Sequence, residues 1–300
     1  MIPKTDRVRP QILQAPNLVR YNWLIHGFST RAGGVSRLPG VITSSNSSAE
    51  LNLGMDAWDS PGNVTENRRR FQSALQAEHM DLVTLNQIHS DLIRTADRHD
   101  EPVNGLRGDG LTTRGSGLLL SIQSADCLPV LLADIRRRAV AALHCGWRGT
   151  VKRMAQKGVG LLRQKYGSRV EDLRVAVGPG IRVCCYEVRE DLVEQFRSQF
   201  IHAMDLFTSP SERERPFAER HTLMHDNSIK YPLLEKEKKY HLDLVKANVE
   251  QLRETGIAAT HIWHDAPCTH CHPEMLYSHR RDPGRAGRML GAIGIGRATG

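Results

Sequence analysis

The sequence predicts a mixed-sheet domain of the α/β or α+β kind, and three observations carry that reading. Strand-like and helix-like segments alternate irregularly, with hairpins of adjacent strands in place of a regular strand–helix–strand repeat. The stretch from Ser124 to Thr150 holds two apolar strands, Leu128 to Ala133 and Ala139 to Leu143, joined by a basic turn at Arg136, Arg137 and Arg138. Three hundred residues with 40% apolar and 25% charged content are enough to bury a sizeable core.

In chain order, residues 1–20 read as an N-terminal arm leading into an entry strand, and Asn22 to Thr30 is strand-like. TRAGGVS follows, where Gly33 and Gly34 permit a tight turn with exposed backbone N–H groups. Residues 40–49 are small and polar, a loop. A helix is predicted from Pro61 to Ala77, with Val64, Phe71 and Leu75 on one face and Pro61 suited to its start. Leu82 to Ile88 is a strand ending in His89, continued or paired by Leu92 to Ala96. GDGLTT at 108–113 is a turn, and Gly117 to Gln123 a strand. After the central hairpin, Thr150 is a helix N-cap, with the helix running from Val151 to Tyr166 and stopped by Gly167. Leu173 to Val177 is a strand, Arg189 to Phe200 an amphipathic helix, and 205–239 a charged, proline-broken surface insertion. Leu242 to Thr255 is a helix closed by Gly256, and Ile257 to Trp263 and the final GAIGI are strands.

Net charge is +8, with the basic residues scattered. No arginine-rich arm, RNP-like aromatic pattern or paired zinc-finger spacing is present, so nucleic acid is not indicated, and a basic surface suits an anionic small molecule as well. Six cysteines are too few for a disulfide scaffold. The N-terminus lacks an apolar core of signal-peptide length and no run approaches spanning length. A soluble cytoplasmic protein is expected.

Three side chains carry the chemistry. His89 ends a strand, Cys127 starts the first strand of the hairpin, and His144 ends the second. Paired as a hairpin, those strands bring Cys127 towards His144. Two imidazoles and a thiolate suit zinc and leave a fourth position open. A metal-free alternative makes Cys127 a nucleophile with His144 as its base. On the residues alone, plain packing of two histidines and a cysteine at strand ends explains the pattern at least as well.

QIHS at 87–90, SADCLPVLLAD at 124–134 and ALHCGWRGT at 142–150 resemble the signature blocks of the YfiH family, also called the laccase-like multicopper polyphenol oxidoreductase or purine nucleoside phosphorylase family. FSTRAGGVS, LNLG with ENRRRF, GPGIRVCCYEV, HLDLVKANVEQL and the closing block through YSHRRD to GRAGRML extend the resemblance over about residues 22–295. It implies an α+β fold, with mixed β-sheets packed together and flanked by helices, related to cysteine hydrolases. It also implies one catalytic domain over 21–300. It carries the family's metal and catalytic ligands onto His89, Cys127 and His144, with zinc, or copper as the alternative, as cofactor. Cys145 stands where the family block has alanine and is read as a non-ligand, because neighbours on a strand point oppositely.

The implied reaction is phosphorolysis of purine nucleosides to base and ribose 1-phosphate, with adenosine deamination alongside. Its partners are then a nucleoside and phosphate. Arg31 beside Gly33 and Gly34 is a candidate anion site, with Arg68 and Arg148 as further substrate-binding candidates. Asp126 is a candidate proton shuttle for deamination, should its side chain face the site. Alternatives are a cysteine hydrolase or amidase editing peptidoglycan precursors, a laccase-like polyphenol oxidase, and a binding protein with a vestigial site. The laccase alternative fits poorly, because His270 and His272 form the lone H-x-H. Cys268 and Cys271 read as part of a turn packed against the site, and Cys184 and Cys185 as structural.

Overall fold

The structure, a computed structural model, describes residues 9–38, 49–56, 58–96, 105–208 and 238–296. In chain order come β1 (Ile12–Leu13), α1 (Pro16–Val19), β2 (Leu24–Ser29), β3 (Ala32–Ser36), α2 (Pro61–Ala74), β4 (Asp81–Val83) and β5 (Ile93–Thr95). Then follow β6 (Gly110–Thr113), β7 (Leu118–Ser124), β8 (Leu128–Asp134), β9 (Ala139–Cys145), α3 (Trp147–Val151), α4 (Met154–Tyr166) and β10 (Leu173–Val177). Next are β11 (Glu187–Arg189), α5 (Glu190–Arg197), β12 (Phe207–Thr208) and β13 (Lys239–Leu242), and finally α6 (Leu244–Glu254), β14 (Ile262–Trp263) and β15 (Met289–Ile295). None of the described helices is long and apolar enough to cross a membrane.

Where the sequence suggested one domain, the chain divides into two compact units, residues 1–181 with 244–300 and residues 182–243. The smaller unit starts well before the expected insertion at 205–239, because β11 and β12 both pair antiparallel with β13 in a three-stranded sheet. Most of the insertion, 209–237, lies outside the described residues.

The larger unit holds two mixed sheets. One runs β1-β2-β15-β7-β4 and the other β14-β10-β8-β9-β6-β5. Their facing sides share one apolar core, with Phe28, Leu120, Ile122 and Ile293 from the first and Leu111, Leu131, Val140 and Ala142 from the second. Strand alternation sends Leu119, Leu290 and Ala292 to the other side of the first sheet, where they meet Phe71 and Leu75 of the α2 segment. Helix α4 covers the second sheet from outside, where a Cβ at Gly158 would meet Leu143 at 2.4 Å. The result is helix, sheet, sheet, helix, the mixed α+β arrangement expected.

Several expected elements change. Ile12 and Leu13 pair with β2, and Leu18 is fully buried, so residues 12–20 are docked rather than a free arm. Gly33 and Gly34 lie on a strand instead of a tight turn. A Cβ on Gly34 would sit 2.0 Å from the Glu50 carbonyl, and its N–H donates to Ala49 at 3.1 Å. Of the predicted Leu82–Ile88 strand only Leu82 and Val83 are regular, in β4, and β5 runs parallel to β6 in the other sheet. The helix after the hairpin starts earlier, at Trp147, and breaks at Arg153, whose φ is +65°. Thr150 is thus inside α3, and its hydroxyl donates back to the Gly146 carbonyl at 3.0 Å. Ile257 to Trp263 shrinks to β14 after a single 3-10 turn.

Candidate functional site

The hairpin register explains how the cysteine and one histidine meet. Leu128 pairs with Cys145 and Pro129 with His144, so Cys127 precedes its strand just where the partner strand ends. On β9 the alternation places Val140 and Ala142 in the core between the sheets, and His144 continues that row at its end. Leu143 and Cys145 take the opposite row, towards α4.

His89 arrives from the segment between β4 and β5. The donor atoms of His89, Cys127 and His144 all lie within 4.8 Å of one another, and the two imidazoles meet edge-on with centroids 5.0 Å apart. His144 is buried, Cys127 half-buried and His89 exposed, so the group opens to solvent on the His89 side. Gly146 closes over the sulfur, and a Cβ there would lie 2.6 Å from the Cys127 Sγ.

Asp109, a fully buried carboxylate just before β6, organises both histidines. Its Oδ1 is 2.8 Å from His144 Nδ1 and accepts the His89 backbone N–H at 3.0 Å. Its Oδ2 accepts from the Ser90 N–H and hydroxyl, both at 2.6 Å, and from the Ile88 N–H at 3.2 Å. Its own carbonyl accepts the His144 N–H at 2.7 Å. With Nδ1 committed to Asp109, His144 turns Nε2 towards Cys127, and His89 is fixed in left-handed backbone at φ +56°. Sequence reading passed over Asp109; its only sign was an acid between two glycines at the mouth of a strand.

Electrostatics follow from this packing. Burial alone would raise the Cys127 thiol, but the His144 charge and hydrogen bonds from His144 and His89 outweigh it and bring it down to about 6. Burial likewise works against the His144 cation, while the Cys127 thiolate and Asp109 raise it to about 9. Desolvation opposes the Asp109 charge, and its hydrogen bonds from His144 and Ser90 nevertheless hold it far below the usual carboxylate range. Burial with the Cys127 and Asp109 charges pushes the Cys145 thiol strongly up, leaving an inert protonated group.

Two imidazoles and a thiolate at one spacing, with a carboxylate behind one ring, fit a borderline-soft metal such as zinc. The same atoms without metal form a thiolate–imidazolium pair backed by an acid. Among the described residues this is the sole ligand group containing histidine, and a multicopper oxidase needs several.

The other candidates are placed less uniformly. Arg31 is taken up by Glu50 in a two-pronged ion pair at 2.7 and 2.8 Å, donates to the Pro273 carbonyl and lies over the Tyr277 ring. The Gly34 N–H, one of the two amides expected to form an anion site beside Arg31, donates to Ala49 instead. Arg68 donates to the Leu53 carbonyl at 3.0 Å, and burial lowers its pKa; among the described residues no carboxylate pairs with it. Arg148 is exposed and lies 4.3 Å over the Trp147 ring, three residues beyond Cys145. None of the three hydrogen-bonds to the His89–Cys127–His144 group among the described residues. Asp126, considered from sequence as a proton shuttle, instead has one carboxylate oxygen on the Thr269 hydroxyl and the other on the Arg280 N–H. The Cys268–Cys271 turn thereby packs against the segment that carries Cys127.

Residues 25–296 match the family described as multi-copper polyphenol oxidoreductase laccase. A purine nucleoside phosphorylase of Deinococcus radiodurans is 36% identical over 96% of this chain and 94% of its own. An adenosine deaminase, RL5, from an unknown prokaryotic organism is 29% identical over 85% of this chain and 90% of its own. Among solved structures, the YfiH hypothetical protein of Bacillus licheniformis superposes with a TM-score of 0.75 at 28% identity, covering 92% of this chain and 94% of that one. Sequence blocks, paired sheets and near end-to-end matches agree, and the chain belongs to the YfiH family, the one described as multi-copper polyphenol oxidoreductase laccase.

Proposed function

We propose that the protein is a zinc-dependent purine nucleoside phosphorylase whose centre is His89, Cys127 and His144, with copper as the alternative metal. The observation that carries this reading is the convergence of those three donors under one Asp109 clamp, in a chain whose 36%-identical relative bears that activity in its name. In the reaction, the bond from the sugar C1′ to the purine nitrogen breaks, a phosphate oxygen bonds to C1′, and the departing base takes up a proton.

When bound, the metal supplies Lewis acidity towards a phosphate or sugar oxygen. The chain's own residues prepare for it. Asp109 keeps the His144 proton on Nδ1 and so leaves Nε2 for the ion, while His89 and Cys127 complete the set. Gly146 lets the backbone pass close over the sulfur, where a Cβ would lie 2.6 Å from Sγ. Of the candidate phosphate or sugar contacts, Arg68 and Arg148 pair with no carboxylate among the described residues, whereas Arg31 already binds Glu50. Incubating the purified, zinc-loaded protein with inosine or adenosine and phosphate is expected to release ribose 1-phosphate. Cys127→Ala should lose both metal and turnover. No ribose 1-phosphate from any purine nucleoside refutes the reading, and inosine formed from adenosine extends it to deamination.

One observation favours a second reading. A Cys127 thiol drawn down to about 6 beside a charged His144 is the arrangement of a cysteine hydrolase or amidase. Under that reading iodoacetamide inactivates and chelators do not; the phosphorylase loses activity to both.

A further inference from the structure

Asp126, immediately before Cys127, has φ +100° although it is not glycine. Such backbone persists only where the surroundings over-determine it. Here they do. The Asp126 carbonyl accepts the Ile181 N–H at 2.8 Å, Oδ1 accepts the Thr269 hydroxyl at 2.6 Å, and Oδ2 accepts the Arg280 N–H at 2.6 Å.

Those partners are themselves tied together. The Thr269 N–H donates to the Gly180 carbonyl at 3.1 Å, and Gly180 bridges Cys268. The Arg281 guanidinium donates to the carbonyls of Thr269, His270 and Leu276 at 2.8, 3.1 and 2.9 Å. A closed ring of contacts therefore runs from Asp126 through 268–281 and back through Gly180 and Ile181. It joins the donor group through the peptide between Asp126 and Cys127. Ser124 reinforces that corner by donating its hydroxyl to the Cys127 carbonyl.

We infer that Asp126 is a positioning residue: its carboxylate grips Thr269 and the Arg280 amide, and this grip holds the left-handed turn that aims the Cys127 sulfur at His89 and His144. Both carboxylate oxygens are occupied, so Asp126 acts through Cys127 and touches no reacting atom. The 268–281 segment becomes the outer support of the site, although it supplies none of the three donors. The inference rests on Cys127 as the sulfur of the proposed centre, but not on which reaction that centre performs.

The test compares Asp126→Ala, Asp126→Gly, Asp126→Asn and Thr269→Val with the parent protein. Three quantities are read: zinc affinity by chelator competition, Cys127 alkylation by iodoacetamide in metal-free protein (by peptide mass), and kcat and KM for phosphorolysis. Asp126→Ala loses the grip and the tolerance for positive φ; zinc affinity should fall roughly 10–100-fold and kcat by a similar factor, with KM within about twofold. Alkylation should slow as the sulfur leaves its imidazole partners. Asp126→Gly regains the backbone freedom and should fall between, and Asp126→Asn, which keeps one acceptor, should lie nearest the parent. Thr269→Val cuts one contact from the far side of the ring and should shift zinc affinity and alkylation in the same direction by about threefold. If circular dichroism shows that Asp126→Ala does not fold, Asp126→Asn and Thr269→Val carry the comparison. Parental zinc affinity and alkylation rate in both Asp126→Gly and Thr269→Val would overturn the inference. Shifts as expected in a protein with no phosphorolysis would uphold the positioning role and remove the proposed reaction, and phosphorolysis without the shifts would do the reverse.

Discussion

Replacing Asp109 by asparagine changes one atom and should dismantle the centre. The carboxylate accepts from the Ile88, His89 and Ser90 N–H groups, the Ser90 hydroxyl and the His144 ring, with no exposure to water. An amide has one oxygen for those donors. If that oxygen takes the Oδ2 place beside Ser90, the NH2 faces the His89 N–H and His144 Nδ1. His144 can accept from it only by moving its proton to Nε2, the nitrogen needed at Cys127. Two charge-assisted bonds are then lost at roughly 1.5–3 kcal/mol each, about 3–6 kcal/mol in all. For a protein of this size that is a fall in Tm of roughly 6–24 °C, at about 2–4 °C per kcal/mol. Zinc affinity should drop roughly 10–100-fold and turnover at least about 100-fold, since metal and wrong tautomer compound. Differential scanning calorimetry of the metal-free protein, chelator competition and the ribose 1-phosphate assay read the three effects. Asp109→Asn with parental Tm and zinc affinity would refute the clamp.

Three further outcomes are expected. Gly146→Ala keeps an ordinary φ of −71° but sets a methyl 2.6 Å from the Cys127 sulfur; zinc affinity and turnover should fall at least about tenfold with the helical content unchanged. In metal-free protein, Cys127 alkylation should rise through pH about 6 rather than the 9 of an ordinary thiol. A pH profile centred near 9 would dissolve the thiolate–imidazolium pair. His26, buried on β2, accepts the Ala15 N–H on Nε2, and burial lowers its pKa to about 4. Its contribution is complete above the unfolded value of about 6.5 and is lost as pH falls through about 4, roughly 3 kcal/mol in total. His26→Gln, which keeps an acceptor without a charge to gain, should flatten denaturant stability between pH 6.5 and 4; an unchanged slope would assign the loss to other groups.

The hairpin that carries the site was legible because alternation and pairing are local: Leu128 to Ala133 and Ala139 to Leu143 are strands within a residue or two, and their register brings Cys127 to His144. Leu173 to Val177 was legible for the same reason. His89 was a different matter. Its strand ends at Val83, and the residue reaches the site through irregular backbone held by Asp109, a tertiary contact with no periodic trace. Arg31 illustrates the opposite failure. A guanidinium next to two glycines suggested an anion cradle, but Glu50, nineteen residues on, claims it, and the pattern of a loop conceals which acid folds back. Thr150 misled because a hydroxyl near a helix start has two uses, capping or bonding back a turn, and only the position of Gly146 decides between them. Residues 12–20 read as an arm because a two-residue strand and a one-turn helix are too short to show a period.

The place of β15 has a consequence for how this protein is made. Residues 289–295 lie in the middle of the five-stranded sheet, hydrogen-bonded to β2 on one side and β7 on the other. Those two strands leave the ribosome long before the one that joins them, so each waits with an open edge and uncovered leucines until synthesis reaches Met289. A nascent chain halted just short of that point leaves the facing edges of β2 and β7 without their shared partner. Ribosome-bound intermediates are accordingly where chaperone dependence and aggregation of this fold should be sought.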